Sequence, residues 1–550
     1  MTHPPISPDF VDVTTAAGTV RGRRRDGSAA FLGIPFAEPP VGELRFAAPV
    51  PHRPWDGVRD ATEFGATPQR ISLAEVTIIP EPSIAGDSTL NLNVFTPGPA
   101  PSADRGLPVL VWIHGGGYLA GSPASPWYDG AAFNRDGVVT VSISYRLGFD
   151  GFGWIADAPH NRGVLDWILA LEWVQENIAA FGGDPSRVTV AGQSAGGGAA
   201  LTLLTVPRAQ DLFERIISLS GVPTEMTLEQ AVEAGRRLAW LGGVESTRKS
   251  LTALSEQRVL ELQTQLSPLG GPPEEDPVRG IASLLKEGLA FGPYVDGRLI
   301  PRATVDAIRA GQGSAKALML GATDHEFTMM LAGSRHRLPD VPDPALLTRV
   351  GASMEAAGRY TADHPGLDSA QLLGQFVTDS MFRAPALRVA EARAGSTAPT
   401  WLYRFAWRSP VTGEAGHCLD VPFFFDMTDA ERVTAVAGAE PPATLAGDVH
   451  GAAVAFVRTG QPGWTPWDAG DHQIRVFDLP SVDIRDGYED VRSLQTVPAD
   501  RLTAVDPFQA AGFNPPPAAR ITQGEKPHDR YHRYQSIGRA RPFSRSFPAA

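Results

Sequence analysis

The stretch Arg187-Val-Thr-Val-Ala-Gly-Gln-Ser-Ala-Gly-Gly197 decides the fold, because an apolar β-branched run breaks there into a turn of small residues around Ser194. It fits the pattern Gly-x-Ser-x-Gly, in which a serine stands on a sharp turn between a strand and a helix. Gly192 and Gly196 occupy the positions two before and two after the serine, where such a turn tolerates only small residues. The residues that follow, through 204, can continue as a helix. The stretch therefore predicts a strand, a tight turn with an exposed hydroxyl, and a helix.

Four other segments are apolar runs of strand length, at 107–114, 138–145, 315–323 and 400–407. Runs of this kind are typical of strands that are covered on both faces in a parallel sheet. A helical pattern over 163–178 joins the run at 138–145 to the strand before Ser194, and a strand–helix–strand unit favours parallel strands. Residues 210–290 contain polar helical patterns. We therefore expect an α/β fold with a large, mostly parallel, twisted sheet, flanked by helices and carrying helical cap insertions.

A serine nucleophile needs a histidine base and a carboxylate that orients the base, and both occur here in the order Ser, Asp or Glu, His. His417 follows two small residues and precedes an apolar block that can anchor its loop. The competing bases are His325, His336 and His450. Asp324 and Glu326 both lie in the turn after the run at 315–323, and the residues alone leave both open as the acid.

Three glycines at 115–117 follow directly after the apolar run at 107–114, and a strand that ends in glycines exposes backbone N–H groups. The N–H groups of Gly116 and Gly117 can join the N–H of Ala195, at the start of the helix after Ser194, around an oxygen that acquires negative charge. We expect these three donors to form an oxyanion hole. The alternative is a flexible glycine loop.

Composition limits the class of protein. The chain has 550 residues, 43% hydrophobic and 20% charged, and no stretch approaches the roughly 18 apolar residues that a membrane span needs. The formal net charge of −13 argues against a nucleic-acid-binding surface over the whole molecule. Cys418 is the one cysteine, which excludes an intramolecular disulfide and a cysteine-rich zinc site. With no glycine-lysine phosphate loop either, we expect no metal, no cofactor, no nucleic-acid partner and no membrane contact.

We expect one catalytic domain over residues 1–515. A proline-rich segment begins at Pro515, and from Arg520 onward seven Lys and Arg stand against two acidic residues, a net charge of +5. Residues 516–550 are therefore expected to be a poorly ordered basic tail. The start of the chain has neither the basic head nor the apolar segment of a secretory signal, which predicts a cytoplasmic protein. We expect a monomer or a homodimer.

Six motifs occur along the chain in a fixed order: His114-Gly-Gly-Gly-Tyr118, Asn161-Arg-Gly-Val-Leu-Asp166, Phe181-Gly-Gly-Asp-Pro185, Gly192-Gln-Ser-Ala-Gly196, Pro293-Tyr-Val-Asp-Gly297 and Gly416-His-Cys-Leu-Asp-Val-Pro-Phe-Phe-Phe425. This series resembles the type-B carboxylesterases, the family of bacterial para-nitrobenzyl esterases and cholinesterases, over about residues 19–478. The resemblance implies an α/β-hydrolase fold with Ser194 as nucleophile, Glu326 as the acid and His417 as general base. It also implies Gly116, Gly117 and Ala195 as the oxyanion hole, and it selects Glu326 over Asp324.

The chain departs from the family pattern at several positions. The usual Glu-Asp-Cys-Leu is Asp87-Ser-Thr-Leu90 here, so the disulfide of the secreted relatives is absent. No tryptophan occurs from Gln69 to Gly86, and Gln193 replaces the usual Glu beside the nucleophile. Both changes remove groups that attract a cationic choline ester. Phe327 replaces the usual Gly after the acid, which predicts a different position for that loop.

We therefore expect a serine carboxylesterase that hydrolyses carboxylic esters with small to medium acyl and alcohol parts through an acyl-enzyme at Ser194. Its expected partner is a small-molecule ester. Leu289 and Phe291 match positions near the family's acyl pocket, so the resemblance implies them as pocket residues. The alternatives are a non-catalytic cholinesterase-like binding protein, and an amide or carbamate hydrolase or an acyltransferase that uses the same triad.

Overall fold

A sheet of thirteen strands runs through the part of the chain that the computed structural model describes, residues 9–68, 78–98, 106–266 and 276–496. Its strands are β1 Phe10–Thr14, β2 Thr19–Arg25, β3 Ser28–Pro35, β4 Val58–Asp60, β5 Asn91–Thr96, β6 Leu107–Ile113, β7 Val139–Ile143, β8 Gly183–Gln193, β9 Arg215–Leu219, β10 Ala317–Thr323, β11 Thr400–Phe405, β12 Gln473–Phe477 and β13 Val482–Arg485.

The centre of the sheet is parallel and its two ends are antiparallel. The strand order is β1-β2-β3-β5-β7-β6-β8-β9-β10-β11-β12-β13, with β4 beside β2. All neighbours from β7 to β12 pair in parallel, whereas β1, β2, β3, β5 and β13 are joined to the sheet through antiparallel pairs, and the short β4 pairs in parallel with β2. The carboxyl ends of β6, β8, β10 and β11 therefore meet at one edge, where the loops that carry Gly116, Ser194, Glu326 and His417 begin.

Helices connect the parallel strands and extend above their carboxyl ends. Their bounds are α1 Ala131–Arg135, α2 Gly148–Phe152, α3 Arg162–Asn177, α4 Ala195–Thr205, α5 Leu228–Leu241, α6 Arg248–Thr252, α7 Glu256–Leu266, α8 Pro277–Glu287, α9 Thr304–Arg309, α10 Pro344–Arg349, α11 Met354–Asp363, α12 Ser369–Thr378, α13 Ala384–Ala392, α14 Val421–Phe424, α15 Val433–Ala437 and α16 Ala443–Thr459. Four of them, α5 to α8, are inserted between β9 and β10, where the sequence predicts helical insertions.

Strand β6 shows why its residues form a buried strand. Successive side chains of a strand point to opposite faces of the sheet. Val109 and Val111 accordingly pack in one hydrophobic cluster, together with Trp167 of α3. Leu110 and Trp112 pack in a second cluster, which includes side chains of α14 and α16. A run with apolar residues at every position is therefore buried on both faces, between two layers of helices.

The predicted α/β-hydrolase fold is confirmed, and the apolar runs at 107–114, 138–145, 315–323 and 400–407 contain β6, β7, β10 and β11. The predicted tail over 516–550, and the end of the predicted domain at 515, lie outside the described residues.

Candidate active site

Ser194 lies on a sharp turn between β8 and α4. Its backbone dihedrals are φ 57° and ψ −122°, which a residue with a side chain adopts only under strain from its surroundings. A Cβ on Gly192 would lie 2.4 Å from the backbone of Gly196, and a Cβ on Gly196 would lie 1.9 Å from the carbonyl oxygen of Ile113. Both glycines are therefore required by close packing, and the turn that they permit presents the Ser194 hydroxyl above the sheet edge.

A chain of hydrogen bonds joins Ser194 to His417 and Glu326. Ser194 Oγ lies 3.0 Å from His417 Nε2, and the opposite ring nitrogen, Nδ1, is hydrogen-bonded to Glu326 Oε2. The backbone N–H of Thr323 donates to the other oxygen of Glu326 at 2.8 Å. Because the carboxylate accepts at Nδ1, the neutral ring carries its proton there and leaves Nε2 free to accept the serine proton.

Backbone pairing holds the loops of Glu326 and His417 together. The N–H of His325 donates to the carbonyl of Ala415 at 3.0 Å, and residues 325 and 416 form a parallel β-bridge. In return, the N–H of Ala415 donates to His325 Nδ1 at 3.2 Å. The two loops follow neighbouring parallel strands, so a short ladder between them is enough to bring the carboxylate to the imidazole.

The competing acid has a different partner. Asp324 accepts two hydrogen bonds from Arg404 of β11, at 2.9 and 2.7 Å, and this pair fixes the start of the loop. Its neighbour Glu326 is fully buried and is the carboxylate that contacts His417. The geometry thus agrees with the choice of Glu326 over Asp324 that the family resemblance implies.

The competing histidines are placed away from Ser194 or are occupied. His450 contacts the Phe424 carbonyl through Nδ1 and Asp136 through Nε2. His325 uses Nδ1 to accept from the main chain, and burial lowers its pKa to about 4, which makes it a weak base. His336 is exposed on the segment Thr328–Arg337.

Two opposing effects set the protonation of His417. Burial disfavours the imidazolium, but the neighbouring Cys418 and Glu326 groups favour it, and together they raise the pKa of His417 well above 6.5. Burial also raises the pKa of Cys418 itself, so the thiol is neutral near pH 7. The hydrogen bond between His417 Nδ1 and Glu326 Oε2 is therefore the contact that favours the imidazolium.

Asp420 is a second buried acid near this pair. The residue is 1% exposed, and within the described ranges neither of its carboxylate oxygens has a hydrogen-bond partner. Burial, together with the charge of Glu326, raises the pKa of Asp420 to about 7. A buried carboxylate without a donor is costly, whereas the protonated acid is neutral. The motif from Gly416 to Phe425 contains Asp420, but the sequence did not indicate its burial, since an Asp in a loop is ordinarily exposed.

The glycine turn after β6 lies against Ser194. A Cβ on Gly115 would lie 3.2 Å from the Ser194 Cβ, and one on Gly116, where φ is +110°, would lie 2.1 Å from the Ala120 carbonyl oxygen. No protein acceptor among the described residues is hydrogen-bonded to the backbone N–H of Gly116 or Gly117. Ala195 is the first residue of α4, so its N–H has no acceptor within the helix. All three predicted donors are thus available.

His114 supports this turn, a function that the sequence motif did not reveal. Burial lowers its pKa to about 4, so the ring is neutral and can donate from Nδ1 to the Gly115 carbonyl, 2.8 Å away. The ring also stacks on Tyr145, with centroids 4.6 Å apart. His114 therefore braces the glycine turn and is too weak a base to take part in proton transfer.

Two aromatic rings flank the imidazole of His417. The centroids of Phe327 and Phe382 lie 5.2 and 5.3 Å from that of His417, and the two phenyl rings meet edge to face. Phe327 has a negative φ of −125°, so its position does not require the glycine that is usual there. The residue that departs from the family pattern is thus used to pack the base.

The predicted pocket residues, Leu289 and Phe291, lie in a segment that approaches the glycine turn. Phe291 is buried and its ring meets Phe149 edge to face at 5.7 Å, whereas Leu289 is partly buried against the same cluster. A Cβ on Gly292 would lie 3.2 Å from the ring of Tyr118, which follows Gly117 directly. The segment at 289–292 therefore approaches the turn, and Phe291 belongs to the hydrophobic core.

The described ranges hold neither a metal-binding cluster nor a membrane-spanning helix. No group of three or more His, Cys, Asp or Glu side chains is arranged there to hold a metal ion. In the same ranges, none of the helices has the length and apolar character required to cross a membrane.

The chain is similar to known esterases along most of its length. The model of the carboxylesterase family matches residues 9–477. The chain is 35% identical to the para-nitrobenzyl esterase of Bacillus subtilis over 464 residues, which cover 82% of this chain and 90% of the relative. It is also 35% identical to the phenmedipham hydrolase of Pseudarthrobacter oxydans over 494 residues, 84% of this chain and 94% of that one.

Solved structures agree with the sequence relatives. A carboxylesterase from Geobacillus stearothermophilus superposes with a TM-score of 0.75 at 31% identity, covering 88% of this chain and all of the other. A para-nitrobenzyl esterase structure has a TM-score of 0.73 at 30% identity, covering 88% and 99% of the two chains. The chain belongs to the carboxylesterase family and is a carboxylic ester hydrolase with the α/β-hydrolase fold.

Proposed function

We propose that this enzyme hydrolyses esters through a covalent acyl-enzyme at Ser194, with His417 as general base and acid and Glu326 as the residue that orients it. The observation that carries the proposal is the unbroken hydrogen-bonded chain from Ser194 Oγ through the imidazole to a fully buried carboxylate. All three groups stand on loops at the carboxyl edge of the parallel sheet.

In the first half-reaction, Ser194 Oγ attacks the acyl carbon while its proton moves to His417 Nε2. The carbonyl oxygen becomes negative and is met by the N–H groups of Gly116, Gly117 and Ala195. The C–O bond to the alcohol then breaks, and the proton on Nε2 passes to the leaving alcohol. In the second half, water gives a proton to Nε2 as its oxygen attacks the acyl carbon. The bond from that carbon to Ser194 Oγ then breaks, the proton on Nε2 returns to Oγ, and the carboxylic acid leaves.

The experiment compares Ser194→Ala with the unchanged protein on para-nitrophenyl esters. Ser194→Ala is expected to remove turnover, because it removes the hydroxyl that is hydrogen-bonded to His417 Nε2, while circular dichroism remains native. The matched control is Ser186→Ala, an exposed serine on β8, which is expected to keep full activity. Near-full activity of Ser194→Ala would contradict the proposal.

Carbamate hydrolysis is the second candidate, because the phenmedipham hydrolase is among the relatives at 35% identity. Carbamates, esters and amides all offer an acyl carbon to the same serine. Matched series of para-nitrophenyl carbamates, esters and anilides separate these activities, and added alcohols reveal acyl transfer. A kcat/KM for the carbamate above that of the matched ester would make carbamate hydrolysis the main activity.

We also propose small to medium acyl groups, with Leu289 and Phe291 limiting acyl length from the segment beside Tyr118. Esters of graded chain length and a Phe291→Ala variant test this: the variant should extend the accepted length.

The proposed working state is a cytoplasmic monomer or homodimer, in keeping with a single cysteine and a net charge of −13. Nucleic acid is not a proposed partner of so acidic a chain.

A further inference from the structure

We propose that Gln193 is a positioning residue for His417 and that its side-chain amide rotates by a half-turn during the reaction. The amide N–H donates to Nε2 of the neutral ring, and after the rotation the amide oxygen accepts from Nε2–H of the protonated ring. The proposal rests on the function proposed above, in which His417 receives the proton of Ser194.

Gln193 is the last residue of β8 and directly precedes Ser194. It is 1% exposed, and its Nε2 lies 3.2 Å from His417 Nε2. Ser194 Oγ lies 3.0 Å from the same ring nitrogen. The neutral ring has one lone pair at Nε2, so two donors, a hydroxyl and an amide, share a single acceptor.

The other side of the amide faces the glycine turn. A Cβ on Gly115 would lie 2.8 Å from the Gln193 carbonyl oxygen and 2.9 Å from its side-chain Oε1, so the side chain lies directly against Gly115. Within the described ranges no donor is hydrogen-bonded to Oε1. A half-turn of the amide exchanges oxygen and nitrogen at nearly constant shape and breaks no bond to that oxygen.

Proton transfer changes what His417 requires from its neighbour. When the Ser194 proton arrives at Nε2, that nitrogen becomes a donor, and the amide N–H beside it loses its acceptor. The turned amide presents Oε1 instead, and a hydrogen bond from a charged donor is stronger than one between neutral groups. Gln193 would thereby support the imidazolium at the moment it forms, without a permanent charge beside the nucleophile.

The other groups that face His417 are Glu326 from the loop after β10 and Cys418 and Asp420 from its own loop. Each of these side chains carries an ionisable group, whereas the Gln193 amide is neutral. A change at Gln193 therefore alters the ring through hydrogen bonding alone, and its effect is separable from theirs.

The test measures the pH dependence of kcat/KM and kcat for Gln193→Leu with a para-nitrophenyl ester. The acidic limb of kcat/KM reports the ionisation of the free base. Loss of one hydrogen bond to the imidazolium should lower kcat about 3- to 10-fold, with KM little changed. The acidic limb should move to lower pH, because the bond lost from the charged ring is stronger than the one lost from the neutral ring.

Two further variants bracket this result. Gln193→Glu places a negatively charged hydrogen-bond acceptor beside His417 Nε2, so it should move the acidic limb to higher pH. Gln175→Leu is the matched control, because the described partners of its amide are the carbonyls of Pro185 and Leu212, and it should leave the pH profile unchanged. Each rate is divided by the concentration of active sites, measured with a phosphonylating reagent, so that unfolded molecules are not counted. If Gln193→Leu does not fold, Gln193→Met replaces it.

An acidic limb that moves to higher pH in Gln193→Leu would show an amide that only donates, and an unmoved limb would show one that only packs. Either result overturns the proposal. If Ser194→Ala is inactive and the limb of Gln193→Leu does not move down, the inference fails and the proposed function stands. Activity that survives Ser194→Ala would contradict both the proposed function and the inference about Gln193.

Discussion

Asp420 is a buried acid that lies close to the proposed catalytic pair and has no hydrogen-bond donor in the described structure. Its pKa is about 7 in the folded protein and near 3.8 in an unfolded chain. Between these values the folded chain keeps a proton that the unfolded chain has lost. The free energy of unfolding therefore falls as the pH rises. The contribution of protonated Asp420 is fully present below about pH 4 and is lost as the pH rises to about 7.

Asp420→Asn removes this ionisation. The free energy of unfolding of the variant, relative to that of the unchanged protein, is therefore expected to be higher at pH 8 than at pH 4. A change in pKa of this size corresponds to at most ~4 kcal/mol. Urea unfolding of both proteins at the two pH values measures the difference. Asp429→Asn serves as the control, because Asp429 is exposed, and it should show no such trend. A stabilisation that is equal at both pH values would contradict the assignment.

Single residues differ in how far the sequence alone predicts them. The need for Gly192 and Gly196 follows from a local turn, so the motif predicts it; an added Cβ would lie only 2.4 and 1.9 Å from neighbouring backbone atoms. The contact of Gln193 with His417 joins residues that are 224 positions apart. No local pattern encodes such a contact. The sequence therefore marked Gln193 as a departure from the family without indicating its neighbour.

At the level of elements, a buried ion pair ties the loop after β7 to α3. Arg146 donates to Asp166 at 2.9 and 2.7 Å, and the two side chains are 4% and 0% exposed. Arg146 also donates to the carbonyl of Ala47, which brings the segment after β3 to the same point. The motif that ends at Asp166 thus holds three segments together.

Arg146→Met is expected to lower the free energy of unfolding by about 3–5 kcal/mol, because it leaves a buried carboxylate unpaired. Arg208→Met is the matched control: Arg208 pairs with Glu172 at the surface, with exposures of 56% and 37%, and its loss should cost less than about 1 kcal/mol. Urea unfolding measures both. Asp166→Leu added to Arg146→Met should recover part of the loss, and equal effects of the two single variants would contradict this account.

Elements were predictable where one segment carries its own signal. The parallel strands are continuous apolar runs, and their burial on both faces explains why. Strand β3 is interrupted at Gly33, where φ is +70° and the pairing with β5 shifts register, so its sequence resembles a loop. Strand β13 is short and largely exposed, and only its pairing with β12 makes it a strand. Such strands depend on partners that a local pattern does not show.

At the level of the whole molecule, every residue of the proposed site lies between Gly116 and His417, inside the described ranges. We propose that residues 516–550 are a basic tail outside the catalytic domain. A protein that ends at residue 515 is then expected to keep kcat/KM within about twofold on para-nitrophenyl esters. A larger loss, with the shortened protein still folded, would assign the tail a part in the site.

The central claim is that one serine carries the acyl group between the two halves of the reaction. Rapid quenching during turnover of para-nitrophenyl acetate, followed by peptide mass analysis, tests it most directly. A burst of about one para-nitrophenol per site is expected, together with an acetyl group on Ser194, and both should be absent in Ser194→Ala. Steady turnover with no acyl group on Ser194, or an acyl group on another residue, would contradict it.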